Sequence, residues 1–215
     1  MVDPDVDRLA FISEDGEMFG EEYTLVAVAD FVLSKTPGNT VSNMSSSRAL
    51  RDVTAKHGGS YQASAVGEVN VVELMKQTNA IIGGEGNGGI IYPELHYGRD
   101  SLVGVALFLT HLAGMGMTVS ELRKTYPAYF MSKNKIELTP QIDVDGILSV
   151  MQERYKSEQH STIDGLKIDF SDEWVHLRKS NTEPIIRIYT EATTQQRADE
   201  LAVQILQEIK TIAGL

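Results

Sequence analysis

The chain has 215 residues, of which 42% are hydrophobic and 23% are charged, and its formal net charge is −11. It has no cysteine, which excludes disulfide scaffolds, thiolate zinc sites and cysteine nucleophiles and is typical of a reducing compartment. An acidic surface repels nucleic acids and anionic membranes, so we expect neither as a partner. An anionic ligand would therefore need a local basic site.

Neither a membrane segment nor a secretory signal is predicted. The apolar stretch at 102–109 is far shorter than the roughly 20 residues that span a bilayer. The first residues, Met-Val-Asp-Pro-Asp, form neither the basic nor the apolar part of a signal peptide. We therefore expect a cytoplasmic protein.

The first part of the chain alternates between strand and helix patterns. Strands are predicted at 9–12, 40–44, 61–66 and 80–83. Helices are predicted at 21–34, 69–77, 99–113 and 119–126, with a further helix capped by the serines at 45–47 and ending at Lys56. This alternation is typical of βαβ units with a largely parallel sheet.

The composition becomes polar at 132–135, which we interpret as a linker between two domains. Beyond it, the patterns predict a helix at 143–156, strands at 165–170, 174–178 and 185–191, and an amphipathic helix from Gln195 onward. The second domain is therefore predicted to be α+β, with an antiparallel sheet covered on one side.

Three aspartates alternate near the start of the chain, Asp3, Asp5 and Asp7, and Arg8 follows them. We call residues 3–8 the aspartate loop. Its carboxylates repel one another unless a cation neutralises them, and carboxylate oxygens suit Mg²⁺, Ca²⁺ or Mn²⁺. An EF-hand is excluded, because Arg8 occupies its glycine position and no helix precedes the segment. The alternative interpretation is a solvated acidic terminus.

A glycine-rich segment at 83–89, which we call the glycine loop, directly follows a predicted strand. Its glycines let a ligand approach the backbone, and Glu85 and Asn87 offer hydrogen-bonding groups for hydroxyls. It is neither a Walker loop nor a dinucleotide fingerprint, because no Lys-Ser/Thr follows and residues 90–93 do not open a helix. The alternative is a flexible turn with two exposed polar side chains.

A polar turn between two predicted strands carries Arg178, Ser180, Asn181 and Thr182, and Arg187 lies on the strand that follows. Two guanidinium groups with hydroxyls, an amide and backbone N–H groups are suited to a phosphate dianion. Strand alternation predicts that Arg187 lies on the face away from the helix-covered core. The alternative is a hairpin turn with a charged rim.

These three motifs, in this order, resemble those of the α-D-phosphohexomutase superfamily. The aspartate loop is similar to the metal-binding loop of that family, D-G-D-G-D-R, with Pro4 and Val6 in place of the glycines. Residues 84–89 are similar to the sugar-binding loop of phosphoglucosamine mutase-like and phosphomannomutase-like members, and 178–187 are similar to the phosphate-binding loop. The motifs span nearly the whole chain.

The resemblance implies a chain that corresponds to the C-terminal part of the family fold. Residues 1–18 would end the preceding domain, 19–132 would form a Rossmann-like third domain, and 133–215 a smaller TATA-binding-protein-like fourth domain. Family members carry a phosphoserine in a T/S-A-S-H-N-P segment of their first domain, which this sequence lacks. The missing N-terminal domains would be the partners of this chain.

The resemblance also implies an isomerase activity of carbohydrate metabolism. A Mg²⁺-assisted phosphoserine donates its phosphoryl group to a hexose phosphate, and the hexose bisphosphate turns over and returns its other phosphoryl group. Mg²⁺ would bind Asp3, Asp5 and Asp7, with Arg8 beside the reacting phosphate. The sugar and its distal phosphate would contact Glu85, Gly86, Asn87, Gly88, Arg178, Ser180, Asn181, Thr182 and Arg187. For this chain alone, we expect weak or absent Mg²⁺ binding and no turnover, because the nucleophile is missing.

Two other functions remain open at this point. A stand-alone sugar-phosphate binding module would use the same loops without turnover. In a purely structural interpretation, an acidic terminus and two ordinary turns would show no ligand-linked stabilisation. The preferred hexose, whether glucose, mannose or glucosamine, does not follow from the motifs.

Overall fold

The structure is a computed structural model that describes residues 1–137, 142–180 and 185–214. Two compact units are present, Met1–Pro127 and Ala128–Leu215. Among the described helices, none combines the length and apolarity that crossing a bilayer requires.

The first unit contains a four-stranded sheet with helices between its parallel strands. Its elements are α1 (Glu21–Lys35), β1 (Asn39–Asn43), α2 (Ala49–Lys56), β2 (Tyr61–Ser64), α3 (Glu68–Thr78), β3 (Ala80–Glu85), β4 (Gly89–Ile91), α4 (Ser101–Met115) and α5 (Val119–Lys124). The strand order is β2-β1-β3-β4, in which β1 is parallel to β2 and β3, while β4 is antiparallel to β3. The predicted βαβ arrangement with a mainly parallel sheet is confirmed.

The core of the first unit explains this order. Val41 of β1 and Ala80 of β3 pack with Val71 and Met75 of α3, and all four are buried. Because β1 and β3 are parallel neighbours, the segments that follow them leave the sheet at the same edge. The glycine loop begins in the last residues of β3 and therefore lies at the edge where α/β sheets bind ligands.

The strand predicted at 9–12 is wrong. This segment makes only the isolated bridges Val2–Leu9 and Ile12–Met18. The backbone N–H of Leu9 instead donates to the carbonyl of Gly88, and the ring of Phe11 stacks on Phe108 at a centroid distance of 3.8 Å. The segment is held by the glycine loop and by α4 rather than by a sheet.

The cap predicted at 45–47 is also wrong in its details. Arg48 occupies the N-cap position of α2 and makes no side-chain cap bond. Ser47 Oγ accepts from Ala49 N at 3.2 Å, whereas Ser46 Oγ accepts from Gly86 N at 3.0 Å. The serine cluster therefore anchors the glycine loop as well as the start of the helix.

The second unit is a five-stranded antiparallel sheet with two helices. Its elements are β5 (Phe130–Glu137), α6 (Val144–Arg154), β6 (Gln159–Ser161), β7 (Leu166–Asp169), β8 (Trp174–Lys179), β9 (Ile185–Ala192) and α7 (Gln195–Ala213). The strand order is β5-β9-β8-β7-β6. Alternate strand residues, such as Ile186 and Ile188, share one buried cluster with α6 and α7. The α+β prediction, with helices on one face of the sheet, is confirmed.

The predicted linker at 132–135 is wrong, because these residues lie within β5 and pair with β9. Their polar composition reflects an edge strand, on which Lys133 and Lys135 are exposed while Ile136 is buried. The chain divides instead between Pro127 and Ala128. Residues 1–18 belong to the first compact unit, and their origin in a preceding domain stays a prediction.

Candidate functional site

The aspartate loop is a closed turn that brings its three carboxylates together. Asp3 Oδ1 accepts from the backbone N–H of Asp7 at 3.2 Å and of Arg8 at 3.1 Å. Desolvation alone would raise the pKa of Asp3, but these backbone hydrogen bonds bring it below its usual value. One oxygen from each of Asp3, Asp5 and Asp7 lies within 4.8 Å of the others.

These carboxylates fit a hard divalent cation. Oxygens on opposite sides of the ion are about 4.6–5.2 Å apart for Ca²⁺ and about 4.2 Å apart for Mg²⁺, so the spacing of up to 4.8 Å matches Ca²⁺ and must shorten by a few tenths of an ångström for Mg²⁺. Asp7 Oδ1 is buried and accepts no hydrogen bond from the described residues. Burial raises the pKa of Asp7, as do the charges of Asp3 and Asp5, while Arg99 opposes the rise. An under-compensated carboxylate oxygen of this kind is what a cation would satisfy.

Val6 lies at the centre of this turn with a φ of 59°, in the left-handed region. Its carbonyl accepts from Ser101 Oγ at 2.7 Å, which fixes the turn to the start of α4. A β-branched residue is strained in this conformation, which glycine adopts freely. The backbone therefore keeps the shape of a glycine turn although the glycine is absent.

The glycine loop presents Glu85 and Asn87 on a rigid support. Glu85 is 5% exposed, and its carboxylate accepts from Asn43 Nδ2 at 2.9 Å and from Arg99 Nη1 at 3.1 Å. Asn87 is half-buried, and its Oδ1 accepts from Gly89 N at 3.1 Å. A flexible turn with two exposed polar side chains is therefore not what forms.

Two glycines allow this loop to pack closely against the chain itself. A Cβ atom at Gly86 would overlap the carboxylate of Glu22 on α1. Gly88 has a φ of 85°, and a Cβ atom there would overlap the carbonyl of Leu9. The glycines were predicted to let a ligand approach the backbone. In the structure they let α1 and the N-terminal segment pack against the loop.

The aspartate and glycine loops share one pocket in the first unit. Asp3, Arg8 and Asn87 line it together with Glu21, and its volume is about 290 Å³. Among the residues that contact these loops, Asn43, Ser46, Glu68 and Arg99 were not predicted as site residues. Arg99 is the first residue of the helix predicted at 99–113, so the sequence pattern indicated a helix start there and no role in a site.

In the second unit, Arg178 and Arg187 lie directly opposite each other on β8 and β9. Lys135 of β5 lies opposite Arg187 on its other side. We call Lys135, Arg187 and Arg178 the basic row. Cross-strand neighbours share a face, and this face is the one away from Ile186 and Ile188, as predicted for Arg187.

Like charges placed directly opposite destabilise a sheet, so the basic row favours an anion. Arg178 Nη1 has Asp164 Oδ2 at 3.7 Å as a counter-charge. The backbone of Ser180 donates to the carbonyl of Ile185 at 3.0 Å, which closes the turn between the strands. Asn181 and Thr182, also predicted to bind phosphate, lie outside the described residues.

Family profiles match both units. The profile described as "Phosphoglucomutase/phosphomannomutase, alpha/beta/alpha domain III" matches residues 20–129. The profile of the C-terminal domain of the same family matches residues 135–208. The chain belongs to the phosphoglucomutase/phosphomannomutase family.

Curated relatives in this family are about twice as long as this chain. A phosphoglucomutase/phosphomannomutase from Thermococcus kodakarensis is 35% identical over 212 residues, covering 96% of this chain and 46% of the relative. A phosphoglucosamine/phosphogalactosamine mutase from Sulfurisphaera tokodaii is 33% identical, covering 94% and 46% respectively. This chain therefore spans about half the length of the relatives it matches.

Solved structures share the fold of the described residues. A family protein from Burkholderia thailandensis superposes with a TM-score of 0.81 at 22% identity, covering 98% of this chain and 46% of that protein. The N-acetylphosphoglucosamine mutase of Aspergillus fumigatus, solved with GlcNAc-6P and magnesium, gives a TM-score of 0.68 at 16% identity, covering 96% and 51%. The fold is that of the third and fourth domains of the α-D-phosphohexomutase superfamily.

Proposed function

We propose that this chain supplies the third and fourth domains of a phosphohexomutase, and that it binds the hexose phosphate on which that enzyme acts. The observation that carries the proposal is the shared pocket, in which Asp3 and Arg8 of the aspartate loop meet Asn87 of the glycine loop. A cation site and a hydroxyl-binding site within one pocket suit the transfer of a phosphoryl group to or from a sugar hydroxyl.

Each loop has a separate task in this proposal. Glu85 accepts hydrogen bonds from sugar hydroxyls, whereas the amide of Asn87 can accept or donate them, and their fixed orientation limits the reorganisation needed on binding. Arg8, whose side chain is 47% exposed, can reach the phosphate that reacts. A divalent cation at the three aspartates would supply charge neutralisation during the transfer.

The basic row would hold the phosphate that does not react. Arg178 and Arg187 can each offer two parallel N–H donors to phosphate oxygens. Lys135, which was not predicted, adds a third positive charge on the same face. The bisphosphosugar has a phosphate at each end. A site that recognises phosphate can therefore bind this sugar in either of its two orientations.

Thermal unfolding with added ligands tests this proposal. Glucosamine 6-phosphate and glucose 1-phosphate should raise the melting temperature of the chain, and the rise should continue with the logarithm of ligand concentration above the dissociation constant. Free glucose should have little effect, because it lacks the charged group that the basic row would bind. Asn87→Ala should reduce the shift while leaving the ligand-free melting temperature nearly unchanged. No shift with any hexose phosphate would contradict the proposed binding and favour a purely structural role for the loops.

A further inference from the structure

Arg99 joins the two loops of the pocket through one side chain. It lies just before the N-cap of α4, and its side chain is 14% exposed. Its Nη2 pairs with Asp7 Oδ2 at 2.5 Å, and its Nη1 with Glu85 Oε2 at 3.1 Å. Its backbone N–H donates to Glu68 Oε1 at 3.1 Å. A single guanidinium therefore holds one carboxylate of the aspartate loop and one of the glycine loop.

The planar guanidinium imposes a geometry that a flexible cation could not impose. Its two terminal nitrogens have a fixed separation, so the carboxylates they hold are fixed relative to each other. An ammonium group is a point charge on a flexible stem and cannot fix two partners in this way. The relative placement of Asp7 and Glu85 thus depends on an arginine at position 99.

Arg99 also orients both carboxylates, because it contacts one oxygen of each. Asp7 uses Oδ2 for Arg99, whereas its Oδ1 accepts no hydrogen bond from the described residues and lies 3.9 Å from Arg8 Nε. Glu85 uses Oε2 for Arg99 and Oε1 for Asn43, which fixes the plane of its carboxylate. A displacement of Asp7 would therefore move Arg99, and Arg99 would in turn displace Glu85.

We propose that Arg99 is a positioning residue whose guanidinium couples the aspartate loop to the glycine loop, so that Asp7 influences how firmly Glu85 holds a sugar. This inference rests on the proposed function, because it assigns Glu85 to a sugar hydroxyl. The coupling acts without a metal ion, since the contacts that carry it lie entirely within the chain.

Asp7 and Asp5 offer a matched pair for the test. Both belong to the aspartate loop, but Asp5 makes no hydrogen bond or ion pair with Arg99 in the described part of the chain. Asp7→Asn and Asp5→Asn each remove one negative charge near the pocket. Any general electrostatic effect on an anionic ligand is therefore present in both variants. They differ in the contact with Arg99 and in the ion pair of Asp7 with Arg8 at 3.9 Å, and the double variant with Arg99→Lys separates these two contributions.

The measurement is the affinity for glucosamine 6-phosphate by calorimetry, with EDTA present to remove divalent cations. Asp7→Asn should bind about tenfold more weakly than Asp5→Asn, and Arg99→Lys should weaken binding by a similar factor. In the Arg99→Lys background, Asp7→Asn should cause no further loss, because the path is already interrupted. Arg51→Lys, at an exposed arginine paired with Asp52, is the control for the substitution itself.

Several results would overturn the proposal. Equal affinities of Asp7→Asn and Asp5→Asn would show that Arg99 does not couple the two loops. This comparison can be made even if Arg99→Lys fails to fold. Multiplicative losses in the double variant would show the same. If the unsubstituted chain binds no hexose phosphate, the proposed function fails. Hydrogen exchange in the glycine loop then decides the coupling: Asp7→Asn should accelerate it and Asp5→Asn should not, and equal rates would overturn the inference.

Discussion

Val6 holds a backbone conformation that its side chain disfavours. Its φ is 59°, and its side chain is largely exposed, so little packing compensates for the strain. We expect Val6→Gly to raise the free energy of unfolding by about 0.5–1 kcal/mol, since relief of the strain exceeds the added entropy of the unfolded chain. Chemical denaturation measures the change.

Val2→Gly is the control for this prediction. Val2 is also exposed and near the same loop, but it is not among the described residues with a positive φ. Glycine there should lower stability slightly or leave it unchanged. Equal responses at Val2 and Val6 would show that the left-handed turn stores no strain.

Arg187 is expected to matter more for phosphate binding than for folding. It lies on the face of β9 away from the core, opposite Arg178 and Lys135. Arg187→Ala should weaken hexose-phosphate binding about tenfold to a hundredfold, because a charged hydrogen bond contributes about 1.5–3 kcal/mol. Arg187→Lys should recover only part of the affinity. Calorimetric titration measures both.

Lys179 provides the matched control for Arg187. It follows Arg178 on β8, so strand alternation places it on the other face, where it pairs in register with Ile186. Lys179→Ala should leave the affinity nearly unchanged. If Arg187→Ala instead unfolds the second unit without changing the affinity of the folded fraction, the basic row is structural.

Three segments of the first unit converge on Asp30 of α1: the end of α2, α4, and the residues that follow α5. Its carboxylate contacts His57 at 2.7 Å, Lys56 at 3.4 Å, Tyr126 at 3.3 Å and His111 at 3.6 Å. Burial alone would raise the pKa of Asp30, but hydrogen bonds with His111 and His57 and the charge of Lys56 bring it well below its usual range.

Asp30→Asn should lower the stability of the first unit by about 3 kcal/mol at pH 7, as expected when a buried ionic network loses one member. Because the folded pKa is depressed, the stabilisation is complete above the unfolded value of about 4 and is lost as the pH falls below it. The variant should therefore show a flatter acid limb in melts between pH 7 and 3. If the unsubstituted chain and Asp30→Asn lost stability equally as the pH falls from 7 to 3, Asp30 would not be the source of the acid sensitivity.

His176 of β8 should make the second unit sensitive to mildly acidic pH. Burial lowers its pKa to about 4, and its Nε2 lies 2.6 Å from the carbonyl of Asp164. The stability is complete above the unfolded value of about 6.5, and about 3 kcal/mol is lost as the pH falls from there to 4. His176→Gln, which keeps a donor for the carbonyl, should remove most of this dependence.

The fluorescence of Trp174, the one tryptophan of the chain, follows this unfolding in the second unit. Its indole nitrogen donates to Glu191 at 2.6 Å in a buried position, so unfolding changes its surroundings. His160→Gln is the control, because His160 is exposed in the same unit. An identical pH profile for all three proteins would show that His176 does not govern the transition.

At the scale of the whole molecule, we predict no mutase turnover by this chain alone. The family motif that carries the phosphoserine is not in the sequence, and without a nucleophile the phosphoryl group has no acceptor on the chain. Phosphorus NMR of glucose 1-phosphate with added glucose 1,6-bisphosphate and Mg²⁺ should show no glucose 6-phosphate. Product formation that scales with purified chain would contradict this prediction.

The sequence predicted most of the fold because its long elements have clear periodicity. The face of α7 that carries Leu201, Ile205 and Ile209 is buried as its spacing predicts. Short or polar strands were missed: β4 is three residues long and begins at the last glycine of a glycine-rich motif, and β5 is a lysine-bearing edge. Edge strands bury few side chains, so local composition carries little signal for them.

The same distinction applies to the site. The aspartate and glycine loops could be identified because the functional residues of each loop lie within a few residues of one another in sequence. Arg99 and Lys135 could not, because each reaches its site only through the fold, Arg99 by ion pairs and Lys135 by strand register. No local pattern around either residue distinguishes it from a helix start or a polar linker.

The pairing of β5 with β9 determines where the two units could be separated. Residues 130–132 pair with residues 190–192, so a chain shortened to begin at residue 133 would leave that end of β9 without its neighbour. Unpaired N–H and C=O groups on such an edge recruit strands from other molecules. A second unit produced from residue 128 onward should remain monomeric, whereas one produced from residue 133 should aggregate as its concentration rises.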